Sequence, residues 1–148
     1  PYDGVSPILW RPSAYALVVR AGRLLLQRSP WTPWLLVPGG EVGAGETLVA
    51  GAVRECYEET GLRFTPEAAP IYVGEEFFYQ DDTGGFRHAI LFAVTGTAAT
   101  EVDPSWTAPA DEILEALWIP LDSLTRDALH PVSWRVLARV GLVRSEAG

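Results

Sequence analysis

The segment from Leu35 to Gly61 constrains this chain more than any other. Leu35-Leu36-Val37 is apolar and β-prone, and Pro38-Gly39-Gly40 breaks it, so a strand is expected to end there and a loop to open. The loop runs through Gly43 and Gly45. Thr47 then stands where an N-cap would, Leu48 to Thr60 holds no proline and only Gly51, and Gly61 is placed as a C-terminal stop. A strand, a glycine-bearing loop and a helix in direct succession call for a layered α/β structure.

The rest of the chain agrees. Ser13 to Arg20 and Arg23 to Arg28 are apolar and β-prone on either side of Ala21-Gly22, which reads as a hairpin. Ile71 to Gln80 and Phe86 to Thr95 read as a second hairpin joined by the turn-forming Asp81-Asp82-Thr83-Gly84-Gly85. Thr97 to Pro109 reads as a surface loop and a candidate lid. Ala116 to Ile119 is expected as a short strand, Pro120 to about Ala128 as a short helix, and Val132 to Val140 as a last amphipathic helix. No internal repeat and no long linker interrupts the 148 residues, 48% of them hydrophobic, so the expectation is one domain, 1–148, with one core and one site.

Charge and cysteine content narrow the function classes. The net charge is −8 and all eleven basic residues are arginine, which argues against a broad grip on a nucleic-acid polymer. An acidic protein can still hold polyphosphate when divalent cations stand between the like charges. Cys56 is the only cysteine, so no internal disulfide forms, as in a reducing compartment. With no apolar run of about 18 residues and no leader-like start, neither a membrane span nor a signal peptide is indicated, and a cytoplasmic location is expected. The chain opens on Pro1 and contains no methionine, so a natural start upstream is expected.

On a helical wheel, Val49, Val53, Cys56 and Thr60 fall on one arc and Glu55, Glu58 and Glu59 on the opposite one. Three glutamates on a helix are by themselves an ordinary solvated face. Their spacing, however, brings like charges within reach at a cost of roughly 0.2–0.5 kcal/mol per pair, which a hard divalent cation would relieve.

Gly40, five residues, Glu46, seven residues, then Arg54-Glu55-Cys56-Tyr57-Glu58-Glu59-Thr60-Gly61-Leu62 resembles the signature of the Nudix hydrolases at every position. A chance match in a chain of this length is on the order of 10⁻⁷. Leu24-Leu25-Leu26-Gln27-Arg28, Leu35 to Gly40 and Trp118-Ile119-Pro120-Leu121 are similar to the usual family context. The resemblance implies a Nudix-type α/β/α sandwich with a central mixed sheet. It implies that Glu55, Glu58 and Glu59, with the Gly40 carbonyl, hold Mg²⁺, with Mn²⁺ as a substitute. Glu55 or Glu59 would then serve as base, and Arg54 would reach Glu46 and Glu55 to keep the carboxylates in register, where otherwise it would form a local pair with Glu58.

Outside the signature the candidates are weaker. Glu112 lies where many family members carry an additional glutamate on a loop. Arg28 ends a strand near the site and could meet phosphate, or simply cover apolar surface. Tyr79, seventeen residues past Leu62, stands where subfamilies acting on dinucleoside tetraphosphates often carry a tyrosine, although Phe77 and Phe78 make the strand aromatic in any case. Trp31 or Trp34 could stack on a base; His88 and His130 are assigned no role. The resemblance implies Mg²⁺-dependent hydrolysis of a phosphoanhydride in a nucleoside diphosphate linked to another moiety: a nucleoside triphosphate, a dinucleoside polyphosphate or an ADP-ribose type. The alternatives are a catalytically silent nucleotide-sensing module, against which the intact glutamates argue, and isoprenoid diphosphate isomerisation, for which no cysteine outside the helix core is available. The expected partner is a small nucleotide, with no nucleic-acid polymer or membrane, and a homodimer stays open because dimers are frequent among relatives acting on ADP-ribose.

Overall fold

The structure, a computed structural model, describes residues 2–80, 84–108 and 115–144. Seven strands form one mixed sheet: β1 (Ile8–Arg20), β2 (Arg23–Arg28), β3 (Gly39–Glu41), β4 (Phe64–Pro66), β5 (Ile71–Gln80), β6 (Gly85–Ala98) and β7 (Glu115–Pro120). Among the described residues, two α-helices, α1 (Leu48–Thr60) and α2 (Pro131–Arg139), accompany the sheet. β1 runs parallel to β6 from Ile8 to Val18, and every other strand pairing is antiparallel. β1 also pairs with β3 through Ser13 to Tyr15 and with β2 at Val19 and Arg20. Among the described residues no helix is long and apolar enough to cross a membrane.

The helices cover opposite faces of the sheet, as expected for the sandwich. Ala14, Ala16 and Val18 of β1 and Leu25 of β2 pack with Ala52 and Cys56 of α1 in one core. Leu17 of β1 and Leu24 and Leu26 of β2 pack with Val136 and Leu137 of α2 in the other. That is why Leu24, Leu25 and Leu26 form a continuous apolar run, all at 0% exposure: a strand covered on both faces has no solvent side to alternate with. β1 alternates strictly, so Arg11, Ser13, Tyr15 and Leu17 share the α2 face.

Local signals place the elements that carry chemistry. The Ala21-Gly22 turn has φ of 50° and 73°, the paired positive values of a tight hairpin. The Thr47 hydroxyl accepts from Ala50 N–H at 3.1 Å, and Gly61, with φ of 73°, donates back to Tyr57 C=O at 2.8 Å, so α1 begins and ends where the caps sit. Gly39 has φ of 152°, and a Cβ there would stand 2.4 Å from Ala14 C=O, so β3 comes this close to β1 only through glycine.

Three expectations are corrected. Residues 120–128 form two single 3₁₀ turns, Leu121–Ser123 and Arg126–Ala128, in place of a short helix. Each turn closes its own short bonds, Leu124 N–H to Leu121 C=O at 3.3 Å, Ala128 N–H to Thr125 C=O at 3.2 Å and Leu129 N–H to Arg126 C=O at 3.3 Å, and the extended backbone at Leu124 and Thr125, with ψ of 131° and 152°, interrupts any continuous helix between them. Second, β6 extends to Ala98, and the described part of the loop after it is clamped to the end of α1. Asp103 accepts there from Arg63 (2.7 Å) and Tyr57 (3.2 Å), and Trp106 Nε1–H donates to Glu58 C=O (3.2 Å), so this part does not stand over the site as a lid. Third, the strand expected at Leu35 to Val37 is reduced to isolated bridges, Leu36 with Gln27 and Leu35 with Leu129, while Gly39–Glu41, expected to open a loop, forms the three-residue β3, and Phe64–Pro66 forms the equally short β4.

Candidate active site

The signature glutamates do not share one solvated stripe. Glu58 is half-exposed, whereas Glu55, with 18% of its side chain accessible, and Glu59 turn toward the start of β3. The wheel explains this: with Gly51 and Ala52 buried as well, the apolar face of α1 is wide and Glu59 stands at its edge rather than opposite it.

Each glutamate is held. Glu59 accepts from Gly39 N–H at 2.8 Å on one oxygen and from the Gln27 amide on the other. Glu55 lies beside Gly40, where a Cβ would come within 3.3 Å of its carboxyl group; glycine leaves that space open. Arg54 ties the group together. Its Nε and Nη2 donate to the two oxygens of Glu46 at 2.8 and 2.9 Å, its Nη1 to Glu55 at 3.1 Å and Glu58 at 3.2 Å, and its Nη2 also to the Glu41 carbonyl at 3.0 Å. The expected contact to Glu46 and Glu55 and the local pair with Glu58 therefore coexist. Glu46 also accepts from Gly43 N–H at 3.0 Å, closing the loop onto the helix.

The electrostatics follow from burial. Hydrogen bonds from Arg54, then from Gly43 N–H, hold the Glu46 carboxyl down at about 2. Burial pushes Glu59 well above the usual carboxylate range, the neighbouring Glu55 charge adds to this, and Gly39 N–H opposes it. Burial also raises Glu55. Two acids one helical turn apart that both resist ionising are a site that favours a proton or a cation between them. Among the described residues no three Asp, Glu, His or Cys side chains form a preassembled metal cage. The donors are nonetheless hard carboxylate oxygens around an open glycine, the set that suits Mg²⁺ better than a thiophilic ion.

A cavity of about 620 Å³ opens beside Gly39, Gly40 and Glu59. Its floor is the α2 face of the sheet, including Arg11, Ser13 and Tyr15 of β1 and Glu76 and Phe78 of β5. Trp31 and the start of α2 enclose the other side. Tyr15 is pushed up to about 12 by burial. His130 Nδ1 accepts from Val132 N–H at 3.2 Å and so caps α2, and burial lowers its pKa. The size and half-apolar lining suit a small organic ligand.

The remaining candidates fall elsewhere. Arg28 is exposed at the end of β2, in register with Glu115 and outside the cavity lining. Tyr79 is half-exposed and meets the Phe86 ring edge-on at 5.1 Å, on the sheet face away from Phe78. Trp31 lines the cavity mouth, while Trp34 meets His130 edge-on at 5.4 Å. Glu112 lies outside the described residues. Arg11, Ser13, Gln27 and Glu76 were missed. Arg11 lay outside the strand expected from Ser13 to Arg20, whereas β1 begins at Ile8, and only the sheet order reveals which ligand space the face of Arg11, Ser13 and Tyr15 meets.

The family model described as NUDIX domain matches residues 9–140. A MutT-like protein of Streptomyces ambofaciens is 34% identical over 125 residues, 79% of this chain and 75% of that protein. A Bifidobacterium longum protein named nucleoside triphosphate pyrophosphatase/Nudix hydrolase fusion protein is 36% identical over 88 residues, 60% of this chain; the match spans 16% of the fusion's length. A Nudix hydrolase structure from Nitrosomonas europaea superposes with a TM-score of 0.63 at 20% identity, covering 88% of this chain and 87% of that one, a likeness of fold.

Proposed function

Because this chain belongs to the Nudix hydrolase family, a family that hydrolyses nucleoside diphosphate derivatives with divalent metal ions, we propose that it is a Mg²⁺-dependent pyrophosphohydrolase. Its substrate is a nucleoside diphosphate linked to another moiety, as in a nucleoside triphosphate, a dinucleoside polyphosphate or an ADP-ribose type. The observation that carries this reading is the placement of Glu55 and Glu59 against Gly39 and Gly40, at one end of the 620 Å³ cavity. A base seated in the cavity would put its phosphates over the glutamates.

In this reading Glu55, Glu58, Glu59 and the Gly40 carbonyl hold the metal, with Mn²⁺ as a substitute. A metal held there would neutralise phosphate oxygens and make water more acidic. Glu55 or Glu59 takes the proton of the attacking water as its oxygen bonds to phosphorus. The bridging P–O bond breaks and its electron pair leaves with the departing phosphate. Arg54 positions the carboxylates from Glu46. The same reading makes the partner a small nucleotide, with no nucleic-acid polymer or membrane, for a cytoplasmic, single-domain protein of net charge −8; a homodimer is compatible with it.

The test is a panel of nucleoside triphosphates, dinucleoside polyphosphates, ADP-ribose and nucleotide sugars with Mg²⁺, with EDTA and Glu59→Gln as controls. Cleavage of at least one, abolished by either control, is expected. Tight binding with no cleavage across the panel would instead favour the sensing module and overturn the enzyme mechanism.

A further inference from the structure

Two residues on the floor of the cavity each carry a buried polar atom that has no hydrogen-bond partner among the described residues, the Ser13 Oγ and the Arg11 Nε. Both residues line the cavity, two positions apart on the same face of β1. Ser13 is fully buried at 0% exposure. Arg11 is fixed at its far end, where Nη1 donates to Glu41 at 3.1 Å and the guanidinium carbon lies 5.3 Å from the centre of the Phe78 ring. Buried polar atoms almost always have partners, because leaving one unpaired forfeits its solvation. Two of them on neighbouring same-face residues that line a cavity next to the glutamate cluster mark a place where the polar edge of a ligand completes the set.

The chemistry of the two groups selects that edge. A guanidinium nitrogen only donates, so the ligand must present an acceptor to Arg11; the Ser13 hydroxyl can donate to the same atom. The walls around them are apolar or aromatic, namely Tyr15, Phe78, Ala89 and Leu91. A phosphate chain would lose its hydration against those walls. A planar heterocycle carrying an exocyclic oxygen would not. We propose that Arg11 and Ser13 are specificity-determining residues that read a ring carbonyl on the base of the substrate. The inference rests on the nucleotide-hydrolase reading for the identity of the ligand class.

Nucleosides test it without any anhydride to cleave. NMR titrations would compare inosine with purine riboside, which lacks the 6-oxo group, and uridine with 4-deoxyuridine. In at least one pair the oxo-bearing member should bind the wild-type protein at least about tenfold more tightly. Ser13→Ala and Arg11→Lys should each bring that ratio to within about threefold, and tripolyphosphate binding should not change in either variant. The wild-type comparison requires no variant to fold, and Ser13→Ala introduces no added bulk. A ratio near one in both wild-type pairs, a ratio untouched by both substitutions, or a selective loss of tripolyphosphate binding would each overturn the proposal. Discrimination between nucleosides in a protein that cleaves no nucleotide would sink the hydrolase reading and leave this one standing; cleavage with no discrimination would do the reverse.

Discussion

Arg54 holds Glu46 by both carboxylate oxygens, Nε to one at 2.8 Å and Nη2 to the other at 2.9 Å, and the same fork reaches Glu55 at 3.1 Å. Lysine cannot reproduce a planar fork with several fixed donors. Arg54→Lys should therefore lower kcat/KM by about 10- to 100-fold through displaced carboxylates while the melting temperature changes little. Glu46→Gln should act through the same contact, so the double variant should lose much less than the product of the single losses. Fully multiplicative losses in steady-state kinetics would show that the two residues act separately.

Glu59 sits between Gly39 N–H and the Gln27 amide. Glu59→Gln should reduce turnover by about 10³-fold or more and weaken Mn²⁺ binding measured by electron paramagnetic resonance. Gln27→Ala, which loosens one support and keeps the carboxylate, should cost about 10-fold in kcat/KM. A Glu59→Gln protein that retained wild-type turnover would remove this carboxylate from the chemistry.

Gly39 and Gly40 are adjacent but should fail differently. Gly39→Ala places a Cβ at 2.4 Å from Ala14 C=O at a φ of 152°, and should cost about 2–4 kcal/mol or prevent folding. The nearest atoms to a Cβ at Gly40 are those of the Glu55 carboxyl, at 3.3 Å. Gly40→Ala should thus keep its melting temperature within a few degrees and lose activity. Thermal melts beside kinetics separate the two, and equal destabilisation by both would contradict the geometry.

Asp103 clamps the loop after β6 to α1. Hydrogen bonds from Ser105, its backbone N–H first and then its hydroxyl, together with Arg63 and Tyr57, lower its pKa from 3.8 to about 2. A carboxyl with a depressed folded pKa adds stability that is complete above the unfolded value and disappears as pH falls through the folded one. The Asp103 contribution should therefore be full above about pH 4 and gone below about pH 2. A carboxyl-carbon NMR titration should place its midpoint near the lower value, and a midpoint at 3.8 would mean the clamp is absent in solution.

What could be read along the chain was whatever short-range chemistry decides. The bounds of α1 follow from Thr47 and Gly61, which terminate a helix by hydrogen bonds reaching three or four residues. The hairpin turn follows from Ala21-Gly22, and the glutamate cluster from helical spacing. β3 and β4 escaped because three residues show no period, and their pairing with β1 and β6 is the reason they are strands at all. Residues 120–128 escaped because the chain is extended at Leu124 and Thr125, with ψ of 131° and 152°, a break that no proline or glycine marks in the sequence.

By itself, then, the sequence determined the acidic helix, its glycine loop and, through the signature they form, the family. Only the tertiary structure decided that Glu59 turns inward against Gly39, and that Arg11 and Ser13 share a cavity with Phe78 and His130. The reason is one of range. Caps, turns and helical stripes arise from neighbours within about one turn, whereas a cavity exists only once β1, β5 and α2 have been brought together by packing that no local pattern encodes.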